Sequence, residues 1–420
     1  MAQSFDDRDH HAGAPLRGVA TILLAGGQGS RLHELTEAEC KPAIPFATRE
    51  RIVDFTLANA VRSGLTLVIV ATQYRPATLT RHLFTSWRRH FPGGLVIRDG
   101  ATVTGRAGGY AGTADAVRAN LDTIEAEAPT EVVVLAGDHV YQMDYAAMIA
   151  AHRASGAKAT VAVDVVAVGA ARGFGVLDAD LEGRIHAFQE KPVHPAAIPG
   201  DPAHALASMG IYVFDWPWLR SRLNETDAAG QGMLDFGGDV VPRAVADGAA
   251  LAFRLPPHAG PQGARARGYW RDVGTLDSYR RTALEFLGNR PPCDLPSALR
   301  DRAQAPDETG APVVHKIIDR GLFRRLAGTV VMPGAFLSAG IRLSDAIVAP
   351  GTVIPFGLVV GEDEDEDATW FRRTSGGTTL ITARMLARRA AERTRTYAIP
   401  GIGAVRPAPS EENGFDVGRL

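Results

Sequence analysis

Cysteine, lysine and long apolar runs are all scarce in this chain, and each scarcity narrows what it can be. The 420 residues include two cysteines, Cys40 and Cys293, far apart in sequence, which excludes a disulfide scaffold or a cysteine-rich metal module. No apolar stretch reaches the roughly 20 residues that cross a bilayer, so no membrane partner is expected. Charge is nearly balanced, 45 basic against 47 acidic residues for a net of -2, leaving no general field to gather nucleic acid or an anionic surface. Any anion site must therefore be local. The polar stretch 1–17 is rich in Asp and His and lacks the apolar core of a signal peptide, so a disordered tail on a soluble cytoplasmic protein is expected.

Arginine fills almost every basic position; the lysines are Lys41, Lys158, Lys191 and Lys316. A lysine ammonium is a compact point charge and a guanidinium a wide planar fork, so lysine is kept where only the former fits. Lys41 and Lys191 each precede a proline in a segment that carries other candidate site residues. Chance retention is the competing explanation.

The most informative segment runs Ala20-Thr-Ile-Leu-Leu-Ala-Gly-Gly-Gln-Gly-Ser-Arg31, with Lys41-Pro42 ten residues on. It reads as a buried strand opening into a glycine turn, in which Gly26, Gly27 and Gly29 let backbone N–H groups approach an anion such as a triphosphate. Arg31 and Lys41 would add full charges at the phosphates. Leu32 stands where the dinucleotide fingerprint needs its third glycine, and the Gly-Lys-Ser/Thr of the Walker loop is missing. Taken alone, the turn fits a plain tight connection equally well.

A chain of this length implies one large α/β domain and a smaller C-terminal unit. Apolar runs at 19–25, 67–71 and 131–136 read as buried parallel strands, with helical spacing between them at Val53, Leu57, Ala60 and Val61. Longer strands are expected at 159–168, 185–190 and 206–214, as a second lobe of the same doubly wound sheet. Ligands in such sheets lie beyond the carboxyl ends of the strands, which should make the glycine loop and the Ala136-Gly137-Asp138 turn neighbours. Thr275 should cap a helix burying Leu276, Tyr279, Ala283 and Phe286. The catalytic domain is thus expected over 18–288, with a Pro-, Asp- and Arg-rich linker at 289–328.

Thr329, Ala335, Ile341, Ile347, Val353 and Val359 then recur every six residues, the mark of a parallel β-helix with three hexapeptides per coil. Only about two coils fit in 329–361, too few to stand alone, so this unit should pack on the catalytic domain or on a neighbouring subunit. In the C-terminal segment 362–420, the acidic run Glu362–Asp367 reads as a solvated edge and Arg384–Arg395 as a surface helix.

Two carboxylates stand out. Asp138 ends a strand, and Asp272 lies in Gly268-Tyr-Trp-Arg-Asp-Val-Gly-Thr275 just before the capped helix. Mg²⁺ takes one or two carboxylates and fills its remaining positions with phosphate oxygens and water, so these two would suffice; alternatively each satisfies a turn. Phe188-Gln-Glu-Lys-Pro192 carries Glu190 beside Lys191 at a strand end. If the proline breaks the strand, both side chains can enter a cleft, the carboxylate gripping sugar hydroxyls and the ammonium a phosphate; a surface ion pair is the bland alternative. Ser30, His139 and Cys40 lack the settings of a catalytic nucleophile. None is required if a phosphate monoester, already ionised near neutral pH, is itself the nucleophile.

Nine segments, in order, resemble glucose-1-phosphate adenylyltransferase, or ADP-glucose pyrophosphorylase: Gly26-Gly-Gln-Gly-Ser-Arg31, Lys41-Pro-Ala-Ile-Pro-Phe46, Arg51-Ile-Val-Asp-Phe55, Gly112-Thr-Ala-Asp-Ala116, Leu135-Ala-Gly-Asp-His139, Phe188-Gln-Glu-Lys-Pro192, Ala207-Ser-Met-Gly-Ile-Tyr212, Asp235-Phe-Gly-Gly-Asp239 and Tyr269-Trp-Arg-Asp-Val-Gly274. The resemblance implies a Rossmann-like nucleotidyltransferase domain with a left-handed β-helix behind it, usually a homotetramer. It implies transfer of the adenylyl group of ATP to α-D-glucose 1-phosphate, giving ADP-glucose and pyrophosphate for glycogen synthesis. By the same resemblance Arg31 and Lys41 hold the departing pyrophosphate, and Asp138 with Asp272 the Mg²⁺. Glu190, Lys191 and Ser208 hold glucose 1-phosphate, with Gly175 and Asp235 near the sugar. Adenine lies against the Gly26 backbone, Gln73, Tyr110 and the Gly112-Thr113 turn. A UTP- or dTTP-using enzyme of the same fold and a non-catalytic regulatory subunit remain as alternatives. Regulated members often carry basic residues where this chain has His33, Ala111 and Ala383, so weakened or altered activation by fructose 1,6-bisphosphate or fructose 6-phosphate is expected.

Overall fold

Nine strands build the main sheet of the protein, here a computed structural model that describes residues 15–46, 50–225, 232, 234–255, 258–259, 265–266, 268–286, 291–299, 313–320 and 324–396. The expected tail at 1–17 lies outside them except for residues 15–17. The strands are β1 (Val19–Leu24), β2 (Leu67–Thr72), β3 (Gly94–Asp99), β4 (Glu131–Ala136), β5 (Ala159–Ala167), β6 (Gly175–Ala179), β7 (Ile185–Glu190), β8 (His204–Asp215) and β9 (Ala250–Arg254). They run β7-β6-β8-β4-β1-β2-β3, with β5 paired to β8 and β9 to β5. The β4-β1-β2-β3 half is parallel. Strand β8 runs antiparallel to β4, β5 and β6, so the sheet is doubly wound and parallel-rich but mixed.

The apolar runs follow from burial on both faces. Leu23, Val133 and Leu135 enter one core, and their neighbours Ile22, Val132 and Val134 the other. Each such side chain contributes about 1.5–3 kcal/mol of transfer free energy. Strand β8 changes register between Ser208 and Tyr212, where Gly210 takes φ 69°. That bulge lies at the strand ends lining the functional cleft described below.

Thr275 caps the helix Leu276–Glu285 as expected, its hydroxyl accepting from the Ser278 N–H, an interaction worth about 1 kcal/mol. The buried face of this helix joins the two units. Tyr279 and Ala283 share a core with Phe46 and Phe55 on one side and Val330, Ile347 and Leu380 on the other. Arg280, also buried, donates to Thr378 Oγ1, the Gly328 carbonyl and Asp345. The C-terminal unit therefore packs on the catalytic domain, the first of the two expected supports.

Its coils are stacked parallel strands, but the repeat differs from the expected hexads. Arg325 pairs with Arg342, Val330 with Ile347, Phe336 with Val353 and Arg342 with Val359. Each step is 17 residues rather than 18, so a strict six-residue count drifts out of phase within one coil. The consequence is visible at Val353, which points outward beside Phe336, while Leu337 and Ile354 take the inward positions. Strand Val313–Arg320, inside the stretch read as a linker, pairs antiparallel with Arg324–Val331. Beyond 361 the chain makes a helix, Glu364–Trp370, and returns as Thr379–Ile381 to pair with Ala346–Val348. The acidic run is therefore a helix start capped by Asp363, favourable against the helix dipole, as well as a solvated edge. Helix Ala383–Thr396 covers it, with Arg389 bonded to Glu366 and Arg388 to the Trp370 carbonyl.

Candidate active site

A cleft of about 630 Å³ opens at the carboxyl ends of β1 and β4. The glycine loop and the Asp138 turn are neighbours there, tied by a bond from the Gly137 N–H to the Leu24 carbonyl. Gly26, Gly27 and Arg31 line one side. Gly29 lies behind the lining at φ 70°, where a Cβ would come 2.8 Å from the Lys41 Cβ. This position needs glycine both for its backbone conformation and for that close approach.

The two aspartates are brought together by a two-strand ladder. His139–Tyr141, immediately after Asp138, pairs antiparallel with Trp270–Asp272, placing Asp272 opposite His139. Lys41 Nζ bridges the carboxylates, 3.0 Å from Asp138 Oδ2 and 2.9 Å from Asp272 Oδ1. It is held from a short turn, Lys41–Ala43, with Pro42 inside it. Lys41 is thus buried beneath the cleft, where the sequence had suggested a cation in contact with the phosphates. Arg31 keeps the more open place, with its side chain 62% exposed and its guanidinium 3.5 Å from Asp272 Oδ2.

Electrostatics follow from this packing. Burial works to raise the Asp138 carboxyl, but the Lys41 charge and the neighbouring His139 hold it far below the usual carboxylate range. Asp272 is lowered in the same way, against its own burial. Burial would lower the Lys41 ammonium, and the two carboxylates raise it instead. All three groups are charged at neutral pH. Lys41 engages one oxygen of each aspartate, while Asp138 Oδ1 lies 3.5 Å from His139 Nε2 and Asp272 Oδ2 lies 3.5 Å from the Arg31 guanidinium. Two hard carboxylates suit a divalent cation that draws its remaining ligands from phosphate and water. Among the described residues no group of three or more His, Cys, Asp or Glu could hold a metal by itself.

At the other end of the cleft, β7 stops at Glu190 and Lys191 adopts φ 47°, its N–H bonded to the Phe174 carbonyl. This left-handed residue turns both side chains into the cleft, the outcome expected if proline broke the strand. Lys191 Nζ lies 2.8 Å from Glu190 Oε1, and both side chains remain partly solvated. Gly175 and Gly237 give the carboxylate room, since a Cβ on them would come 3.0 and 2.5 Å from Glu190 Oε2. Ser208 lines the cleft beside the Gly210 bulge.

The remaining wall is formed by Gln73, Tyr110, Gly112, Thr113 and Asp235. The Gln73 amide is taken up by the loop itself, donating to the Gly108 and Tyr110 carbonyls and accepting from the Tyr110 N–H. Asp235 accepts from the Thr113 N–H and hydroxyl, so its carboxylate anchors the wall as well as lining it. Of the three positions where the resemblance led to an expected basic residue, Ala111 lies in this wall. His33 adopts φ 52° in the Ser30–Thr36 turn, and Ala383 begins the C-terminal helix.

Sequence reasoning passed over two features. His139, which the sequence gives no role beyond failing as a nucleophile, lines the cleft with Nε2 3.5 Å from Asp138 Oδ1 and Nδ1 buried without a hydrogen-bond partner among the described residues. The Gly210 bulge was not singled out, yet an isolated glycine in the apolar run 205–214 is a signal for one.

The fold and the cleft define a nucleotidyltransferase, and a family model described as nucleotidyl transferase matches residues 20–288. A second, described as GlmU-like, C-terminal hexapeptide, matches 313–381. Three proteins named glucose-1-phosphate adenylyltransferase are similar over nearly their full length. That of Granulibacter bethesdensis is 40% identical, with 89% of this chain and 98% of the relative covered. Those of a Jannaschia species and Rhodopseudomonas palustris are 39% and 38% identical, covering 88% and 89% of this chain and 96% and 98% of theirs. The chain belongs to the glucose-1-phosphate adenylyltransferase family, as the ordered motifs had implied.

Proposed function

We propose that the cleft transfers the adenylyl group of ATP to α-D-glucose 1-phosphate, releasing pyrophosphate and forming ADP-glucose, and that the product feeds glycogen synthesis. The observation that carries this reading is the convergence of Asp138, Asp272 and Lys41 between a glycine loop and the Glu190–Lys191 pair. An oxygen of glucose 1-phosphate bonds to the α-phosphorus of ATP as the bond to the β-phosphate bridging oxygen breaks, and the electron pair leaves with pyrophosphate. The nucleophile is already ionised, so the residues have to align two anions and offset their repulsion.

The Gly26–Gly27 backbone and the Gln73, Tyr110 and Gly112–Thr113 wall take the nucleotide. Arg31 reaches the departing phosphates, while Gly29 makes room for Lys41. Lys191 holds the phosphate of the sugar phosphate and Glu190 its hydroxyls, with Ser208, Gly175 and Asp235 shaping that end. Asp138 and Asp272 would hold Mg²⁺, which when bound draws charge from the phosphate oxygens. Lys41 keeps the two carboxylates from repelling one another and fixes their spacing. No helix among the described residues is long and apolar enough to cross a membrane. A cytoplasmic homotetramer is the assembly we propose, by analogy with the family.

Supplying the protein and Mg²⁺ with glucose 1-phosphate and each nucleoside triphosphate in turn should release pyrophosphate with ATP alone. Release with UTP or dTTP would move the reading to another sugar nucleotide, and none with any triphosphate would favour a regulatory subunit. Lys191→Gln should raise KM for glucose 1-phosphate by about ten- to a hundredfold, the worth of one charge-assisted phosphate contact. KM for ATP should hold steady, and a change confined to ATP would remove Lys191 from the sugar-phosphate end.

A further inference from the structure

Asp115 is buried in the helix Thr113–Arg118 and does not line the cleft, yet it holds the wall that does. Its Oδ2 accepts the Ala111 N–H at 2.8 Å and also meets the Arg106 guanidinium. Its Oδ1 accepts from Arg118 at 2.5 Å. The two ends of the segment are fixed from elsewhere, Tyr110 by the Gln73 amide and Thr113 by Asp235. Between them Gly112 has no slack, because a Cβ there would come 2.4 Å from the Leu234 carbonyl oxygen. Ala111 is held through its backbone by Asp115. The carboxylate is kept ionised despite its burial by the Ala111 N–H and the two arginines.

We propose that Asp115 is a positioning residue for nucleotide choice, drawing in the Ala111 backbone so that the Tyr110–Thr113 segment stands at the distance from Gly26–Gly27 that admits a purine. The inference rests on the proposed placement of ATP in this end of the cleft. Loss of the anion would weaken the hold on the Ala111 N–H from a charged to a neutral acceptor and leave Arg106 and Arg118 to repel each other, and the wall would move. A misplaced wall weakens the hold on a two-ring base more than on a single-ring pyrimidine, and leaves the Glu190–Lys191 end untouched.

The test compares wild type with Asp115→Asn by steady-state kinetics and by amide hydrogen exchange over 105–113. The variant should raise KM for ATP about tenfold, with kcat and KM for glucose 1-phosphate within about twofold of wild type. Its preference for ATP over UTP in kcat/KM should fall, and residues 105–113 should lose protection while β1 keeps it. If this variant does not fold, Arg106→Gln, at a side chain 47% exposed, should show the same pattern at about two- to fourfold. Equal rises in both KM values, or an unchanged KM for ATP, would overturn the inference. Adding ATP to wild type separates the two levels. Protection of 105–113 by ATP with wild-type kinetics in the variants removes Asp115 alone, whereas no protection of this segment removes the placement of the nucleotide.

Discussion

Asp138→Asn should lower kcat by about 10²- to 10³-fold while leaving the circular dichroism spectrum and the sheet intact. The asparagine can still accept a hydrogen bond from Lys41, and Asp272 still partners that ammonium, so the buried cation is not orphaned. What disappears is one of the two negative charges where the proposed function brings the phosphates together. In the proposed placement ATP lies on the glycine loop and the sugar phosphate at Lys191, through other groups, so both KM values should move far less than kcat. The substitution therefore separates alignment from charge neutralisation. Full turnover in the variant would mean that Asp138 serves only to pair Lys41, and the metal reading of the two aspartates would fall with it.

That cluster also marks where the sequence stops being readable. The strand before Gly26, the strand before Asp138 and the capped helix at Thr275 were visible because burial on both faces, glycine turns and a hydroxyl cap leave local signatures. Lys191 was legible through its proline, although only the backbone shows that a left-handed residue does the turning. The motifs carried the cation and both aspartates but not their contacts, which depend on a ladder between His139–Tyr141 and Trp270–Asp272 that no local pattern announces. Asp115 carries no local signature of its role, because its partners Ala111, Arg106 and Arg118 are defined only by how the loop folds back. In the β-helix the opposite happened. The local repeat was real, but a 17-residue coil shifts a strict hexad count by one residue per turn, and a one-residue slip exchanges inward for outward side chains.

Lys41→Met should remove activity and, unlike Asp138→Asn, should also destabilise the fold. Methionine matches the length of the buried stem and packs against Gly29, but it leaves two carboxylates facing each other with the solvated Arg31 and the His139 imidazole as their remaining neighbours. Breaking a buried ion pair from one side costs about 3–5 kcal/mol, which lowers Tm by roughly 3–6 °C in a protein of this size. The pH dependence has a definite sign. In wild type both aspartates are held below their ordinary range, so their contribution is complete at neutral pH and is lost as pH falls through that lowered range. In the variant the carboxyls repel, one of them titrates upward, and protonating it relieves the strain. The Tm gap between the two proteins should therefore narrow as pH is lowered from about 7 to about 5. Millimolar Mg²⁺ offers the vacated pair a cation again, so it should raise the Tm of the variant by several degrees more than that of wild type. Thermal scans of both proteins with and without Mg²⁺ decide the matter: equal shifts would mean that Asp138 and Asp272 are built to receive the lysine and nothing else.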